Sequence, residues 1–225
     1  MFALIRIAII AATLSFFAEA SVAAGDDSQS AAVGDPALQE ELLVRIERDQ
    51  QARWAGIEWG QQHGVDGFVD EELLTDAERA TYTKLWADVA DIDAENTEWL
   101  KGIVDKKGWP TYSAVGSDSA DAAWLIVQHA DADVSFQRRC LDLMAALPGD
   151  EVSKSNFAYL TDRVLLAEGE DQVYGTQFVV REGKWVPSRL MDSDNVDVRR
   201  AEVGLQPLAE YAEMLTEMMS GEKGE

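Results

Sequence analysis

The residues from Ala122 to Val127 are apolar without interruption and run directly into Gln128 and His129. A helix through this run is apolar on every side instead of along one stripe, so it must be covered all round. Gln128 and His129 occupy its last turn, each one helical turn after an apolar residue. At least one of these two polar side chains must therefore point inward.

Two long helices are predicted before this run. Asp35-Pro36 offers an N-cap followed by proline at the first helical position, and the apolar spacing carries that helix to about Trp59. Thr75 and Glu78 form a capping box that opens the second helix. The polar run Asp91–Asp93 marks a point at which this second helix could break.

Three shorter helices are predicted after a turn that begins at Gly108. Asp118 or Ser119 is the expected N-cap of the helix that contains the apolar run. Asp133 and Ser153 are the expected N-caps of the next two helices. These helices supply the cover that the apolar run needs.

The hydrophobic period then changes from helical to alternating, which indicates a β-hairpin that turns at Glu182-Gly183. A two-residue turn places Val180 opposite Trp185 and Phe178 opposite Pro187. Because a lone hairpin is only marginally stable in water, its apolar face must dock on the helices. The predicted fold is mainly α, a single helical domain with one β-hairpin near the C-terminal end.

The N-terminus has the pattern of a cleavable secretory signal. One basic residue, Arg6, precedes an apolar run from Ile7 to Ala18, and small residues follow in Ala-x-Ala-like patterns. The apolar run is shorter than the roughly 17 to 25 residues that a helix needs to cross a bilayer. We therefore expect a periplasmic or secreted protein without stable membrane insertion.

The predicted organisation has five parts. They are a signal peptide at 1–23, a flexible spacer at 24–34, an N-terminal helical segment at 35–102, a helical core at 103–219 with the hairpin at about 172–188, and a tail at 220–225.

The net charge limits the classes of partner, and the cysteine content limits disulfide formation. The chain carries 42 acidic and 19 basic residues, a net charge of −23, which repels nucleic acids and anionic lipids. A small-molecule or peptide-like ligand is the expected partner, and no cofactor is predicted. Cys140 is the only cysteine, so no internal disulfide can form, and its apolar neighbours at helical spacing indicate a buried thiol.

The two histidines have different settings. His63 lies in a glycine-rich segment, which indicates a solvated loop residue. The spacing His129-x-Asp131-x-Asp133 is compatible with metal ligation, but further ligands at fixed spacing are missing and Asp133 is better placed as an N-cap. No metal site is predicted.

Several polar residues fall on the apolar sides of predicted elements. Gln137 lies among apolar residues of its helix and needs a buried partner, while Arg163 can hold either an internal aspartate or a substrate carboxylate. Tyr174 and Gln177 lie on opposite faces of a strand beside Gly175. Such residues are typical of a polar pocket in a helical core.

The segments GWPTYSAVG, AAWLIVQHADADVSFQ, NFAYLTDRV, QVYGTQF and VDVRRAEVGLQPLAEY resemble, in this order, the motifs of a bacterial family known only as a domain of unknown function. The resemblance covers about Ile103 to Leu215 and implies that scattered polar residues belong together. It brings no known reaction. By this resemblance the signature positions are Trp109, Gln128, His129, Gln137, Tyr159, Asp162, Arg163, Gln172, Tyr174, Gln177 and Arg200.

The leading hypothesis is an exported hydrolase or other acid–base enzyme acting on a small or peptide-like substrate. His129 moves protons, and Asp162 or Tyr174 assists. The substrate-binding residues are Gln128, Gln137, Arg163, Gln177 and Arg200. Two alternatives stay open: a noncatalytic binding module, and a purely structural hydrogen-bond network. The enzyme hypothesis expects His129, Arg163, Tyr174 and Gln177 to converge on one cavity.

Overall fold

The computed structural model describes residues 34–64, 74–181 and 184–220. The described helices are α1 Pro36–Gln62, α2 Asp76–Lys107, α3 Tyr112–Val115, α4 Ser117–His129, α5 Val134–Ala145, α6 Lys154–Ala167, α7 Val196–Glu202 and α8 Leu208–Ser220. The strands β1 Phe178–Arg181 and β2 Lys184–Pro187 form one antiparallel hairpin, and a single 3₁₀ turn spans Ser193–Asn195. The mainly α prediction with one hairpin is confirmed.

Helix α4 is the centre of the molecule. It packs against α1, α2, α3, α5 and α6, and its residues from Ala122 to His129 are all buried. The expectation that this helix is covered on every side is therefore confirmed. Both Gln128 and His129 point into the interior.

The local capping signals are borne out for most helices. The Asp35 side chain accepts a hydrogen bond from the Leu38 amide, and Thr75 and Glu78 form the capping box. Asp133 and Ser153 cap α5 and α6 through the amides three residues later. Each cap satisfies an amide that the first turn of a helix leaves without a partner.

The boundaries of two helices differ from the prediction. Helix α1 continues three residues beyond Trp59, and α2 is unbroken through Asp91–Asp93. Continuous burial of Val89, Ile92 and Leu100 along one face of α2 holds that helix together across the polar run.

The start of α4 was also predicted wrongly. The turn after Gly108 contains the short helix α3, and Gly116, at φ 81°, both ends α3 and begins α4 without a side-chain cap. Asp118 and Ser119 are therefore inside α4. The buried Ser119 hydroxyl instead donates to the Gln39 carbonyl of α1, 3.2 Å away.

The hairpin has the predicted register, with Val180 opposite Trp185 and Phe178 opposite Pro187. The predicted turn at Glu182-Gly183 lies outside the described residues. Phe178 packs edge-on against Tyr211 of α8, at 5.4 Å between ring centres, so the hairpin docks on a helix as expected. Among the described helices, none combines the length and the apolar character that crossing a membrane requires.

Candidate functional site

The imidazole of His129 contacts a carboxylate that is distant in the sequence. Its Nδ1 lies 3.1 Å from Oδ1 of Asp49, which is on α1 and 80 residues earlier. Both side chains are 2 % exposed. Asp49 reaches this position because it continues the buried stripe of α1 formed by Leu42 and Ile46, at helical spacing.

Arg53 lies one turn after Asp49 on the same stripe and joins α1 to α2. Its Nε donates to both Asp49 carboxylate oxygens at 3.2 Å, and its Nη2 donates to Asp93 of α2. The Arg53 side chain is 3 % exposed, whereas that of Asp93 is 21 % exposed. Asp93 is therefore the member of this group that solvent reaches.

A buried amide completes the group, because Gln50 Nε2 donates to Asp49 Oδ2 at 2.7 Å. We call Asp49, Gln50, Arg53, Asp93 and His129 the α1–α2–α4 cluster. Within the described part of the chain, His129 Nε2 and Gln50 Oε1 are buried and lack a hydrogen-bond partner. Asn96 of α2 is also buried, but its Oδ1 accepts from Arg45, which lies outside the cluster, at 3.2 Å.

The two carboxylates of the cluster differ in electrostatic setting. Burial raises the pKa of Asp49, but the hydrogen bonds from His129 and Arg53 and the positive charge of Arg53 outweigh burial and hold this pKa well below 3.8. Burial raises the pKa of Asp93 to about 7; Arg53 opposes this shift and the negative charge of Asp49 adds to it. Asp93 consequently takes up a proton before Asp49 does.

His129 is held neutral. Complete burial lowers its pKa below 6.5, and the positive charge of Arg53 lowers it further, against the opposing attraction of Asp49. In a neutral imidazole with a carboxylate at Nδ1, the proton resides on Nδ1 and a lone pair remains on Nε2. This arrangement orients the ring and leaves Nε2 basic.

A second group of polar residues lies at the C-terminal end of α4. Arg163 Nη1 pairs with Asp131 at 2.8 Å, and Arg163 Nε donates to Gln128 Oε1. Gln137 Nε2 donates to the Val127 carbonyl at 3.0 Å and to Asp131 at 3.3 Å. Of the two predicted partners for Arg163, the structure shows the internal aspartate, and Gln137 has the buried partner it needs.

Asp162 forms a separate centre one residue before Arg163. Its carboxylate accepts from the amides of Val173, Tyr174 and Thr176 and from the Thr176 hydroxyl, at 2.7 to 3.2 Å. Burial raises the pKa of Asp162, and these four donors oppose the shift. The carboxylate therefore organises the segment before the hairpin.

The remaining predicted site residues gather around this same segment. Gln177 donates from its side chain to Thr176 Oγ1 at 3.1 Å, and its backbone pairs with the Gln172 side chain. Arg200 donates to the carbonyls of Gln206 at 2.6 Å and Tyr174 at 2.8 Å, and it lies over the Tyr211 ring. Burial raises the pKa of Tyr174.

The predicted site residues thus divide into two sets. Gln128, His129, Gln137 and Arg163 lie at the C-terminal end of α4. Asp162, Tyr174, Gln177 and Arg200 bond with the segment at 172–177. The contacts do not bring Tyr174 and Gln177 to His129, so the expected convergence on one cavity is not what the described residues show.

The described residues include two sets of side chains to compare as possible metal ligands. Asp131 bonds with Arg163 and Gln137, and Asp133 caps α5 and pairs with Lys101 at 2.6 Å, so the His129-x-Asp131-x-Asp133 spacing forms no ligand set. Asp49, Asp93 and His129 have ligand atoms within 4.8 Å of one another, a donor set that suits a metal ion. Arg53 bridges the two carboxylates and supplies one positive charge against their two negative charges.

The other two reactive side chains, those of Cys140 and His63, have structural roles. Cys140 is fully buried, as predicted, and burial raises its pKa to about 12, which suppresses the thiolate. His63 is exposed as predicted, but it ends α1: its Nδ1 lies 2.8 Å from the Trp59 carbonyl, and its ring stacks on that of Trp59.

Comparison with known proteins agrees with the resemblance. A family model described as a family of unknown function (DUF6624) matches residues 36–223. The chain belongs to this family. The DUF6624 match includes α1 and α2, which the resemblance over Ile103 to Leu215 left out. No curated protein and no solved structure matches the chain.

Sequence reasoning missed every member of the cluster except His129 in this DUF6624 chain, because α1 and α2 contribute the others. Asp49 and Arg53 follow Leu42 and Ile46 at helical spacing, and Asp93 follows the buried Val89 of α2 by four residues. A charged residue on a predicted apolar stripe must find a buried partner. Asp49 and Arg53 are charged residues of this kind, and their spacing predicts that α1 contributes to a buried polar group.

Proposed function

We propose that the chain is an acid–base enzyme in which His129 accepts and returns the proton. The observation that supports this proposal is the contact of His129 Nδ1 with Asp49, which leaves Nε2 buried and without a partner among the described residues. A carboxylate at Nδ1 fixes the tautomer and strengthens Nε2 as a base. Asp49 thereby replaces Asp162 and Tyr174 as the residue that assists.

Arg53 is the residue that maintains this dyad. It keeps Asp49 ionised through the bonds at 3.2 Å, and its charge keeps His129 neutral and ready to accept a proton. A neutral base can activate water or deprotonate a substrate group, which fits a hydrolase acting on a small substrate. Gln128, adjacent to His129, presents an unpartnered amide nitrogen that can orient such a substrate.

Chemical modification tests whether His129 is reachable, as catalysis requires. The chain has two histidines, so the exposed His63 is an internal reference for reaction with diethyl pyrocarbonate. We expect mass spectrometry to find both residues modified under native conditions, with His129 reacting faster than the protein unfolds. Modification of His129 only in denaturant would contradict the proposal.

Turnover is the second test. Chromogenic esters, amides and phosphoesters are suitable probes, and His129→Gln removes the base while keeping a polar side chain. Loss of a general base lowers kcat by about 10²- to 10⁴-fold. Glu170→Gln, at an exposed position three residues after the end of α6, is the control and should leave kcat unchanged.

One observation favours the noncatalytic alternatives. His129 and Asp49 are 2 % exposed, which also suits a hydrogen-bond network that specifies the core. In that case His129→Ala would lower the melting temperature without affecting any ligand or turnover. A binding module would retain ligand affinity in the absence of turnover.

We further propose that the protein is exported to the periplasm or beyond. The support is the pattern of residues 1–23, in which Arg6, an apolar run and small residues follow in the order of a secretory signal. Mass spectrometry of the protein recovered after expression with its N-terminus should show cleavage near residues 20–23. A full-length chain retained in the cytoplasm would contradict export.

A further inference from the structure

We propose that the α1–α2–α4 cluster binds a small molecule through a primary ammonium group. This inference rests on the proposed function and deepens it, because it names the charged group by which the substrate would bind beside His129. It stands on three features of the cluster: its surplus of hydrogen-bond acceptors, its surplus of negative charge and the exposed edge at Asp93.

The first feature is the kind of atom that lacks a partner. His129 Nε2 and Gln50 Oε1 are acceptors in the neutral side chains, and both residues are at least 96 % buried. The Gln50 amide belongs to the cluster because its nitrogen is 2.7 Å from Asp49 Oδ2. An ammonium group offers three donors, and acceptors of this kind can receive them.

The second feature is charge. Asp49 and Asp93 oppose the single guanidinium of Arg53, so the ionised cluster lacks one positive charge. Neighbouring arginines do not make up the difference, because each has an acidic partner of its own. The pairs are Arg163–Asp131, Arg45–Glu41 and Arg48–Glu95. A ligand with one positive charge would neutralise the cluster, whereas an anion would add to the surplus.

The third feature is the route of approach. Asp93 is 21 % exposed while Asp49 and Arg53 are almost completely buried, so a ligand reaches the cluster from the Asp93 edge. The net charge of −23 attracts cations to the whole surface and repels anions. Both the long-range field and the local acceptors therefore favour an amine.

Three probes of equal chain length test the proposal. They are 1,4-diaminobutane, 1,4-butanediol and succinate, which differ in charge and share a four-carbon chain. At matched ionic strength, the diamine at ten times its Kd should raise Tm by about 3–6 °C, and the diol and succinate should not. Calorimetric titration should give one site per chain.

Two variants separate the cluster from the acidic surface. Asp93→Asn removes one negative charge at the edge of the cluster, and Glu170→Gln removes one at an exposed position after the end of α6. We expect Asp93→Asn to weaken diamine binding at least tenfold and Glu170→Gln to leave it unchanged. An equal effect of both variants, or no saturable binding, would overturn the proposal.

Metal ions supply the remaining control, because Asp49, Asp93 and His129 are also compatible metal ligands. MgCl₂ or ZnCl₂ that stabilises the protein in an Asp93-dependent way, without a diamine effect, would overturn the ammonium assignment in favour of a metal. Failure here is distinct from failure of the acid–base proposal, since reaction of His129 with diethyl pyrocarbonate does not depend on any amine.

Discussion

At the scale of single residues, the cluster shows how hydrogen-bond donors and a charged partner compensate the desolvation of a buried carboxylate. Asp49 is 2 % exposed yet receives donors from Arg53, His129 and Gln50. The negative charge of Asp93 is stabilised mainly by Arg53 and by solvent. The same residue type therefore has opposite pKa shifts at two neighbouring positions.

Replacing Asp49 should be far more damaging than replacing Asp93. Asp49→Asn leaves Arg53 and His129 buried beside a neutral amide, and breaking a buried ion pair costs about 3–5 kcal/mol. Urea unfolding followed by tryptophan fluorescence measures the loss. A loss as small as that of the exposed control Glu170→Gln would show that the buried pair contributes little.

Asp93 should control part of the pH dependence of stability. Its pKa is about 7 in the folded protein against 3.8 for the free side chain, so its stabilising contribution is complete below pH 4 and is lost as the pH rises through 7. Wild type should therefore lose on the order of 2 kcal/mol relative to Asp93→Asn between pH 5 and pH 8.

Urea unfolding at four pH values measures this difference. Subtracting the Asp93→Asn curve removes the opposite contribution of His129, whose lowered pKa makes stability fall as the pH decreases below 6.5. Parallel curves for the two proteins would contradict the raised pKa of Asp93.

At the scale of elements, the segment at 172–177 is fixed to α6 by one side chain. The Asp162 carboxylate accepts hydrogen bonds from three amides and one hydroxyl. Gly175 adopts φ 69°, and a Cβ added there would lie 2.9 Å from the Leu208 side chain. The hairpin follows directly, and α7 bonds to the same segment through Arg200. Asp162 therefore fixes the segment to which the hairpin and α7 connect.

Asp162→Ala should loosen this segment before it affects the rest of the fold. The amides of Val173, Tyr174 and Thr176 lose their common acceptor, so hydrogen exchange at these three positions should accelerate towards the rate of an unprotected amide. Amides in the middle of α4 serve as the reference. Unchanged protection at Val173 would show that the backbone holds without the carboxylate.

Elements whose signals are local could be predicted from the sequence. The capping box at Thr75, the caps at Asp133 and Ser153, and the hairpin register depend on residues within a few positions of each other. The partner of His129 could not be predicted in this way. Asp49 lies 80 residues away, and only the packing of α1 on α4 brings the two together.

At the scale of the whole molecule, the two halves of the chain share one core. Leu42 and Ile46 of α1 and Leu100 of α2 belong to the same buried cluster as the apolar residues of α4. The family match at 36–223 spans both halves. The polar cluster and the apolar core therefore cross the boundary at residue 102 that the sequence suggested.

A truncated chain tests whether the C-terminal part folds without α1 and α2. A fragment that begins at residue 103 exposes the faces of α4 that α1 and α2 cover, so it should aggregate or show the fluorescence of a loosely packed state. The fragment from residue 34 is the matched control and should unfold cooperatively. A cooperative transition in the shorter fragment would show that the C-terminal part folds alone.

Arg53 has one more consequence. Because the counter-charge of the buried Asp49 is covalently part of α1, it arrives at a fixed ratio of one per chain whenever α1 folds. Formation of the buried Asp49–Arg53 pair then needs no ion from the surroundings, and refolding should proceed equally well in a chelator and in low salt. The chain brings its own cation to wherever it folds.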